Sequence, residues 1–326
     1  MHYPRFIEKG QTIGICAPSA GVGNKLEHFD KALENLRAEG FRIKESASVR
    51  KDALVSASAK KRAKEFKEMF TDPEVDFVLC AAGGDFLMEM LPYTDFEAVV
   101  KNPKWFMGMS DPSTLLFILP TKYDIATLYG MNVGGFDCDK ICRRSVRTAV
   151  DHMQGKWSLQ RSYKQYLVGI GAEDLPKAPV RYKAFPESFT FEGRLIGGCV
   201  DALRDIIGSD LDAVHEFNER YKDEGIVWFF DNFALSAEDL YHTLFAMKQN
   251  RWFENVNAVL MGRTLFESTM IGFKYKEALQ KIFGRKIPIA MEMDIGHTSP
   301  YFTLVNGSYV KGQIRDGKGS LRCIQK

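Results

Sequence analysis

Ser110 lies where a strand-like run passes into a helix-like run. The run from Lys104 to Gly108 is largely apolar, and residues 114–119 have a helical pattern. A turn between two such elements lifts a serine hydroxyl clear of the sheet and exposes the next backbone N–H, that of Asp111, to an oxyanion. This turn makes Ser110 a candidate nucleophile, although the usual elbow pattern has a second glycine where this chain has Pro112. The alternative role for Ser110 is a helix N-cap.

A serine nucleophile needs a base, and His297 is the best candidate in the chain. It follows a strand-like run, between Gly296 and a Thr-Ser-Pro turn, so we expect it in a loop. A third group must orient the imidazole. Asp231 closes the apolar run 226–230, and Asp294 lies three residues before the histidine; from the residues alone, both stay open.

The elements that must position these side chains form an alternating pattern in the first half of the chain. We predict strands at 12–17, 41–45, 76–80 and 104–108, with helices at 24–38 and 57–70. This alternation predicts an α/β fold with a doubly wound parallel sheet. The loops at 17–21 and 81–85 and the Ser110 turn all follow strands, so we expect them to converge at the carboxyl edge of the sheet.

The second half has a different rhythm and predicts a smaller mixed α+β unit. We expect residues 1–154 to form the N-terminal domain, 155–188 a connector rich in glycine and proline, and 189–326 the C-terminal domain. Strands are predicted at 225–230, 256–261 and 287–293. A terminal set of short antiparallel strands is predicted at 301–305, 308–311 and 320–325.

The glycine-rich run 193–198 resembles a phosphate loop, but it lacks Gly-Lys-Ser/Thr. We interpret it as a tight turn that packs closely on a helix.

Composition excludes several classes of partner. The 326 residues are 45% hydrophobic and 26% charged, with a net charge of +2, so neither nucleic acid nor an anionic membrane is expected. The N-terminus has no signal-peptide pattern, and no apolar run approaches the ~20 residues of a bilayer span. Six scattered cysteines favour reduced, mostly buried thiols, which predicts a cytoplasmic protein.

Several blocks together resemble the serine LD-carboxypeptidase family, which includes the microcin immunity peptidases. They occur in the family's order and cover most of the chain: residues 13–19, 83–84, 91–95, 102–104, 108–111, 193–198 and 296–300. The resemblance implies a doubly wound N-terminal domain that carries the serine and a smaller domain that carries the acid and the histidine.

The same resemblance implies roles for individual residues. Ser110 would be the nucleophile, His297 the base and Asp231 the acid, while Gly84 and Asp111 would donate the oxyanion-hole N–H groups. No metal and no organic cofactor is implied, and we expect a homodimer.

The chain departs from the family in three places. The family acid is normally glutamate, and here it is Asp231, followed by Asn232; an aspartate is one methylene shorter. Cys199 stands where the family usually has asparagine. The loop after Gly83-Gly84 is bulky and apolar at 85–88, which bears on the substrate more than on the chemistry.

The chemistry that follows is acyl transfer to water. The expected substrate is a small peptide with a free carboxylate, as in an LD-carboxypeptidase; the alternative is an aminoacyl nucleotide, as in microcin immunity. Two further classes stay open: a catalytically weakened binding protein on the same scaffold, and an esterase that uses the same serine.

Overall fold

Strands and helices alternate through most of the chain. The structure is a computed structural model that describes residues 1–137, 140–169 and 175–326. In chain order its strands are β1 (Thr12–Cys16), β2 (Arg42–Glu45), β3 (Phe77–Cys80), β4 (Trp105–Gly108), β5 (Thr127–Tyr129), β6 (Gln160–Arg161), β7 (Gln165–Leu167), β8 (Lys177–Pro179), β9 (Lys183–Phe185), β10 (Phe189–Cys199), β11 (Ile226–Asp231), β12 (Val256–Gly262), β13 (Ile289–Met293), β14 (Leu304–Asn306), β15 (Tyr309–Arg315) and β16 (Lys318–Ile324). The helices are α1 (Leu26–Ala38), α2 (Ala59–Thr71), α3 (Phe96–Lys101), α4 (Ser113–Tyr123), α5 (Arg143–Met153), α6 (Val200–Leu203), α7 (Val214–Arg220), α8 (Ala237–Gln249) and α9 (Tyr275–Phe283).

The first sheet has six strands in the order β14-β5-β4-β3-β1-β2. Strands β1 to β5 are parallel to their neighbours, and only β14 runs antiparallel, against β5. The order changes direction at β1, as in a doubly wound sheet. The carboxyl ends of β1, β3 and β4 therefore share one edge, which is where the three predicted loops lie.

The second sheet has eight strands in the order β6-β16-β15-β10-β11-β12-β13-β9. Its centre, β10 to β13, is parallel, and antiparallel strands flank it on both sides. Every residue of β11 is buried, which explains its continuous apolar sequence.

Helix α4 joins the two sheets. It packs against β4 and β5 of the first sheet and against β10 of the second. The residues from Ser113 to Thr121 are all buried, so this helix is apolar on all sides rather than amphipathic. Phe117 stacks on Trp252 at 5.1 Å between ring centroids and lies 6.0 Å from Trp228. The turn that begins α4 is thereby held between the two halves of the molecule.

Two predictions for the second half are wrong in part. Residues 301–305 do not join the terminal antiparallel set, because β14 completes the first sheet instead. The glycine-rich run 193–198 is no turn but the carboxyl half of β10, next to β11. Its glycines serve close packing: a Cβ on Gly197 would lie 1.8 Å from the Phe229 carbonyl oxygen, and one on Gly198 would lie 3.0 Å from Cβ of Ser113 in α4.

The cysteine prediction holds for four of the six residues: Cys16, Cys80, Cys199 and Cys323 are free and buried. Cys142 is disulfide-bonded, which contradicts it, and Cys138 lies outside the described residues. In the described part of the chain, no helix combines the length and the apolar character that a bilayer crossing needs.

Candidate active site

The Ser110 turn has the strained backbone of a nucleophile elbow. Ser110 has a φ of 68°, in the left-handed region, between the end of β4 and the start of α4. Its carbonyl oxygen accepts a hydrogen bond from the N–H of Ser113 at 2.8 Å, which closes the turn. Its hydroxyl caps no helix N–H, so the N-cap interpretation is wrong. Such a conformation costs about 1–3 kcal/mol and is characteristic of functional sites.

Two glycines let the loop after β3 approach this serine. A Cβ on Gly83 would lie 2.9 Å from Cβ of Ser110 and 3.0 Å from its Oγ. Gly84 has a φ of 145°, and a Cβ there would lie 2.2 Å from Oγ of Ser19. Within the described residues, the N–H groups of Gly84 and Asp111 donate no hydrogen bond. Both remain free to bind an oxyanion beside Ser110.

The side chain of Asp111 connects the loop after β1 to the loop after β3 through hydrogen bonds. Only the N–H of this residue has a function predicted from the sequence. Its Oδ2 accepts hydrogen bonds from the Ser19 hydroxyl and from the Leu87 N–H, the latter at 2.9 Å. Burial raises the pKa of Asp111, and the two hydrogen bonds only partly offset it. Asn132, which follows β5, holds the other side of the elbow: its Oδ1 accepts from the N–H of Met109 at 3.1 Å.

Asp231 and His297 meet at the carboxyl edge of the second sheet. Nδ1 of His297 lies 2.7 Å from Oδ2 of Asp231, whose side chain is fully buried. Tyr129 donates a hydrogen bond to the same oxygen at 2.6 Å. Burial lowers the pKa of His297, but the charge and hydrogen bond of Asp231, together with the charge of Asp201, raise it above its ordinary value.

Gly296 explains how an aspartate reaches the histidine. A Cβ on this residue would lie 1.9 Å from Oδ1 of Asp231, and its φ is 89°. The main chain therefore passes directly over the carboxylate, which makes up for the side chain's missing methylene. The centroid of the Phe233 ring lies 4.6 Å from the centroid of the His297 ring.

Asp294, the other candidate acid, is committed to a separate network. Its carboxylate pairs with Arg263, which is buried, and accepts hydrogen bonds from the Tyr182 hydroxyl at 2.5 Å and the Tyr163 N–H at 2.9 Å. Arg263 also donates to Thr298 at 3.3 Å, so this network supports the loop that carries His297.

The two halves of the site are connected, although no hydrogen bond joins Ser110 to His297. Among the described residues, Nε2 of His297 has no hydrogen-bond partner and Ser110 donates to none. Ser113, three residues after the serine, accepts from the N–H of Cys199 at 3.0 Å, and Cys199 pairs in register with Asp231. A hydrogen bond between a catalytic nucleophile and its base is often long in the absence of substrate and becomes shorter when substrate binds.

Two family comparisons match separate parts of the chain. Residues 13–130 match the LD-carboxypeptidase N-terminal domain, and residues 192–311 match the LD-carboxypeptidase C-terminal domain. The chain belongs to the LD-carboxypeptidase family. It is accordingly a serine hydrolase of the carboxypeptidase and amidase class, as the sequence blocks predicted.

Named members of the LD-carboxypeptidase family extend the match over most of the chain. The microcin C7 self-immunity protein MccF of Escherichia coli is 27% identical over 313 residues, which cover 91% of this chain and 89% of that protein. The probable murein peptide carboxypeptidase of Bacillus subtilis is 30% identical over 214 residues, 64% of this chain and 60% of that protein.

Solved structures share the fold. MccF in complex with aspartyl sulfamoyl adenosine has a TM-score of 0.83 at 23% identity and covers 100% of this chain and 99% of its own. An MccF-like protein from Bacillus anthracis has a TM-score of 0.84 at 21% identity, with 100% of both chains covered.

Sequence reasoning missed the residues that support the site. Tyr129 and Asn132 lie at the end of β5, a three-residue strand for which no strand was predicted. Asp201 accepts hydrogen bonds from the N–H groups of Phe233 and Ala234, each at 2.9 Å, and so fixes the loop beside His297. The one sequence signal is that Asn132 is a polar residue directly after the largely apolar stretch 125–131.

Proposed function

We propose that Ser110, His297 and Asp231 form a catalytic triad that hydrolyses an amide bond by way of an acyl-enzyme. The observation that carries the proposal is the 2.7 Å separation between Nδ1 of His297 and the buried carboxylate of Asp231. Such a carboxylate fixes the imidazole tautomer, leaves Nε2 free to accept a proton, and stabilises the imidazolium that forms.

The proposed mechanism assigns one function to each of these groups. Nε2 of His297 takes the hydroxyl proton as Oγ of Ser110 attacks the carbonyl carbon. The tetrahedral oxyanion is held by the N–H groups of Gly84 and Asp111, each contributing about 3–4 kcal/mol to transition-state stabilisation. His297 then gives its proton to the leaving amine. A water molecule, deprotonated by the same nitrogen, attacks the acyl-enzyme, and His297 returns this proton to Oγ of Ser110 as the acyl group leaves as a carboxylic acid.

The substrate class we propose is a small peptide that carries a free carboxylate. A murein peptide fits this class, and the relative named a probable murein peptide carboxypeptidase supports it. We infer a place in peptidoglycan recycling, in the cytoplasm; the four free buried thiols favour this location, whereas the disulfide of Cys142 does not. We also infer a homodimer, on the family resemblance alone.

The second candidate substrate is an aminoacyl nucleotide. The relative with the wider coverage is the self-immunity protein MccF, and solved MccF complexes contain glutamyl sulfamoyl guanosine and aspartyl sulfamoyl adenosine. The apolar loop at residues 85–88 differs from the small polar loop expected of the family, and it bears on this choice because it follows Gly84 directly.

A hydrolysis screen distinguishes these candidates. A murein tetrapeptide and an aminoacyl sulfamoyl adenylate are incubated side by side with the wild type and with Ser110→Ala. We expect release of the terminal amino acid from the tetrapeptide by the wild type only. Turnover of the adenylate alone would select the second candidate.

A fluorophosphonate probe and a matched ester separate the remaining classes. Labelling of the wild type but not of Ser110→Ala is expected, and its absence together with no hydrolysis would leave only a binding protein. Turnover of an ester, but not of the amide with the same acyl group, would make the enzyme an esterase.

A further inference from the structure

We propose that Cys199, Asp231 and His297 form a binding site for a thiophilic divalent cation such as Zn²⁺, and that the bound ion switches the hydrolase off. The binding site stands on the geometry of these three side chains. The inhibitory consequence rests on the proposed catalytic function of His297 and Asp231.

The fold brings the three potential ligands to one point. Cys199 ends β10 and Asp231 ends β11, and the two residues are register partners in neighbouring parallel strands. Side chains of register partners project to the same face of a sheet. His297 reaches them from the loop after β13. One ligand atom from each residue lies within 4.8 Å of the other two.

These separations are close to those of a zinc site. With bonds of about 2.0–2.3 Å, tetrahedral ligands of zinc lie about 3.5 Å from one another. Because every pair lies within 4.8 Å, small side-chain rotations would let the three residues supply three of the four ligands of a tetrahedral site. A thiolate, an imidazole and a carboxylate together suit Zn²⁺, whereas Mg²⁺ and Ca²⁺ prefer oxygen ligands.

A second observation makes Asp231 available as a ligand. Tyr129 and His297 both use Oδ2, while Oδ1, which the main chain of Gly296 contacts on one side, is buried and has no hydrogen-bond partner within the described residues. An unsatisfied carboxylate oxygen in the interior is costly, and a cation satisfies it. Sγ of Cys199 contacts Oδ2 of Asp201 at 3.6 Å, so the thiol is directed into the same acidic surroundings.

Binding exchanges protons for the metal and oxidises nothing. Bonds form from the ion to sulfur, to a carboxylate oxygen and to one ring nitrogen. The thiol proton is released to solvent, and the imidazole keeps its single proton on the nitrogen that does not bind the ion. A metal-bound His297 cannot accept the Ser110 proton, so acyl transfer stops until the ion is removed.

The test combines a spectroscopic probe with inhibition. Metal-free protein is titrated with Co²⁺, whose thiolate complexes absorb in the near ultraviolet, and hydrolysis is measured against Zn²⁺ concentration with and without a chelator. We expect one Co²⁺ per chain with a thiolate band, Zn²⁺ inhibition that the chelator reverses, and no inhibition by Mg²⁺. In Cys199→Ser the band should vanish and the inhibitory Zn²⁺ concentration should rise more than about tenfold, since even a residue that supports a ligand is worth about 10–100-fold in affinity.

Two variants control for other metal-binding groups. Cys16→Ser removes a buried thiol whose register partner in β3 is Cys80. His215, Glu219 and Glu254 form the other group of three potential ligands in the described part of the chain, and His215→Ala removes its imidazole. Both variants should keep the band and the inhibition.

The outcomes are decisive in either direction. A thiolate band that persists in Cys199→Ser, or that is lost in Cys16→Ser, overturns the proposal. A folded wild type that shows no band overturns it as well, even if Cys199→Ser does not fold. If the band behaves as expected but neither substrate class is hydrolysed, the metal site stands and the proposed catalytic function fails.

Discussion

The hydroxyl of Tyr129 lies 2.6 Å from Oδ2 of Asp231, the carboxylate oxygen that also faces His297. Tyr129 is buried, and its ring packs on Phe229 at 5.2 Å. The other oxygen of the Asp231 carboxylate, Oδ1, has no hydrogen-bond partner among the described residues. Tyr129 therefore fixes which oxygen faces the histidine in the proposed triad, whose acid is one methylene shorter than the glutamate usual in the family.

Tyr129→Phe should lower kcat about 10–100-fold with little change in KM. A hydrogen bond to a charged group contributes about 1.5–3 kcal/mol, and the phenyl ring keeps the packing. Steady-state kinetics of the single variant and of the double variant with Asp231→Asn measure this: in the Asp231→Asn background the second change should add almost nothing. Tyr163→Phe, another buried tyrosine, is the control. Equal losses in both backgrounds would assign Tyr129 a purely structural role.

Ser110→Ala should remove about 10⁶ in kcat while the protein stays folded. The hydroxyl forms no hydrogen bond in the described structure, so its loss removes no packing or bonding that the fold depends on. Kinetics, together with thermal unfolding of both proteins, test this. Activity within tenfold of the wild type would contradict the assignment of the nucleophile.

Activity and stability should respond to His297 in opposite directions as pH rises. Its pKa in the folded protein lies above the ordinary value of about 6.5. Because the base must be neutral, kcat/KM should rise with pH through a midpoint above 6.5. Because the raised pKa means that protonation stabilises the fold, that contribution is full below the unfolded-state pKa and is lost as pH rises through the folded pKa.

Rate profiles and thermal midpoints between pH 5 and 9 measure both effects. Asp231→Asn should lower the midpoint of any residual activity, since it removes the charge that raises the pKa of His297. His297→Gln should abolish activity throughout. A flat wild-type profile from pH 5 to 8, with chemistry rate-limiting, would exclude His297 as the base.

The two aspartates should separate activity from stability. Asp231→Asn should lower kcat by about 10³–10⁴, because an amide favours the wrong imidazole tautomer. Asp231→Glu should keep some activity, because glutamate is the acid that the family normally has at this position. Asp294→Asn should be milder in kcat but cost about 3–5 kcal/mol of unfolding free energy, since it weakens the buried pairing with Arg263. Steady-state kinetics and denaturant unfolding of the three variants measure both effects. A larger loss of kcat in Asp294→Asn than in Asp231→Asn would identify Asp294 as the acid.

Gly296→Ala should lower kcat at least 100-fold. The new methyl group would overlap Oδ1 of Asp231, and the displaced carboxylate would no longer hold His297. Gly272→Ala is a matched control, because its φ of 76° brings similar backbone strain while none of the described residues lies within 4 Å of a Cβ there. If both variants lose the same activity, backbone strain rather than the contact with Asp231 is responsible.

Features that depend on short stretches of chain could be predicted from the amino-acid sequence. Continuous apolar runs predicted the bounds of β1, β3, β4 and β11 to within one or two residues. Such runs arise because both faces of these strands are buried. The Gly-x-Ser turn and the histidine loop were found for the same reason: each is a local pattern next to a strand. The order of the sequence blocks from residue 13 to residue 300 indicated the LD-carboxypeptidase family.

Contacts between residues that are distant in sequence could not be predicted and became visible in the folded chain. Asp231 and Asp294 both follow or end apolar strands, and nothing local separates them. The crossing of the chain at Gly296 and the pairing of Asp294 with Arg263 do so. Strand β5 is three residues long, too short for a periodic signal, yet it brings Tyr129 to Asp231 across 102 positions of sequence. Contacts of that kind arise from the packing of two sheets on α4, which no stretch of sequence encodes alone.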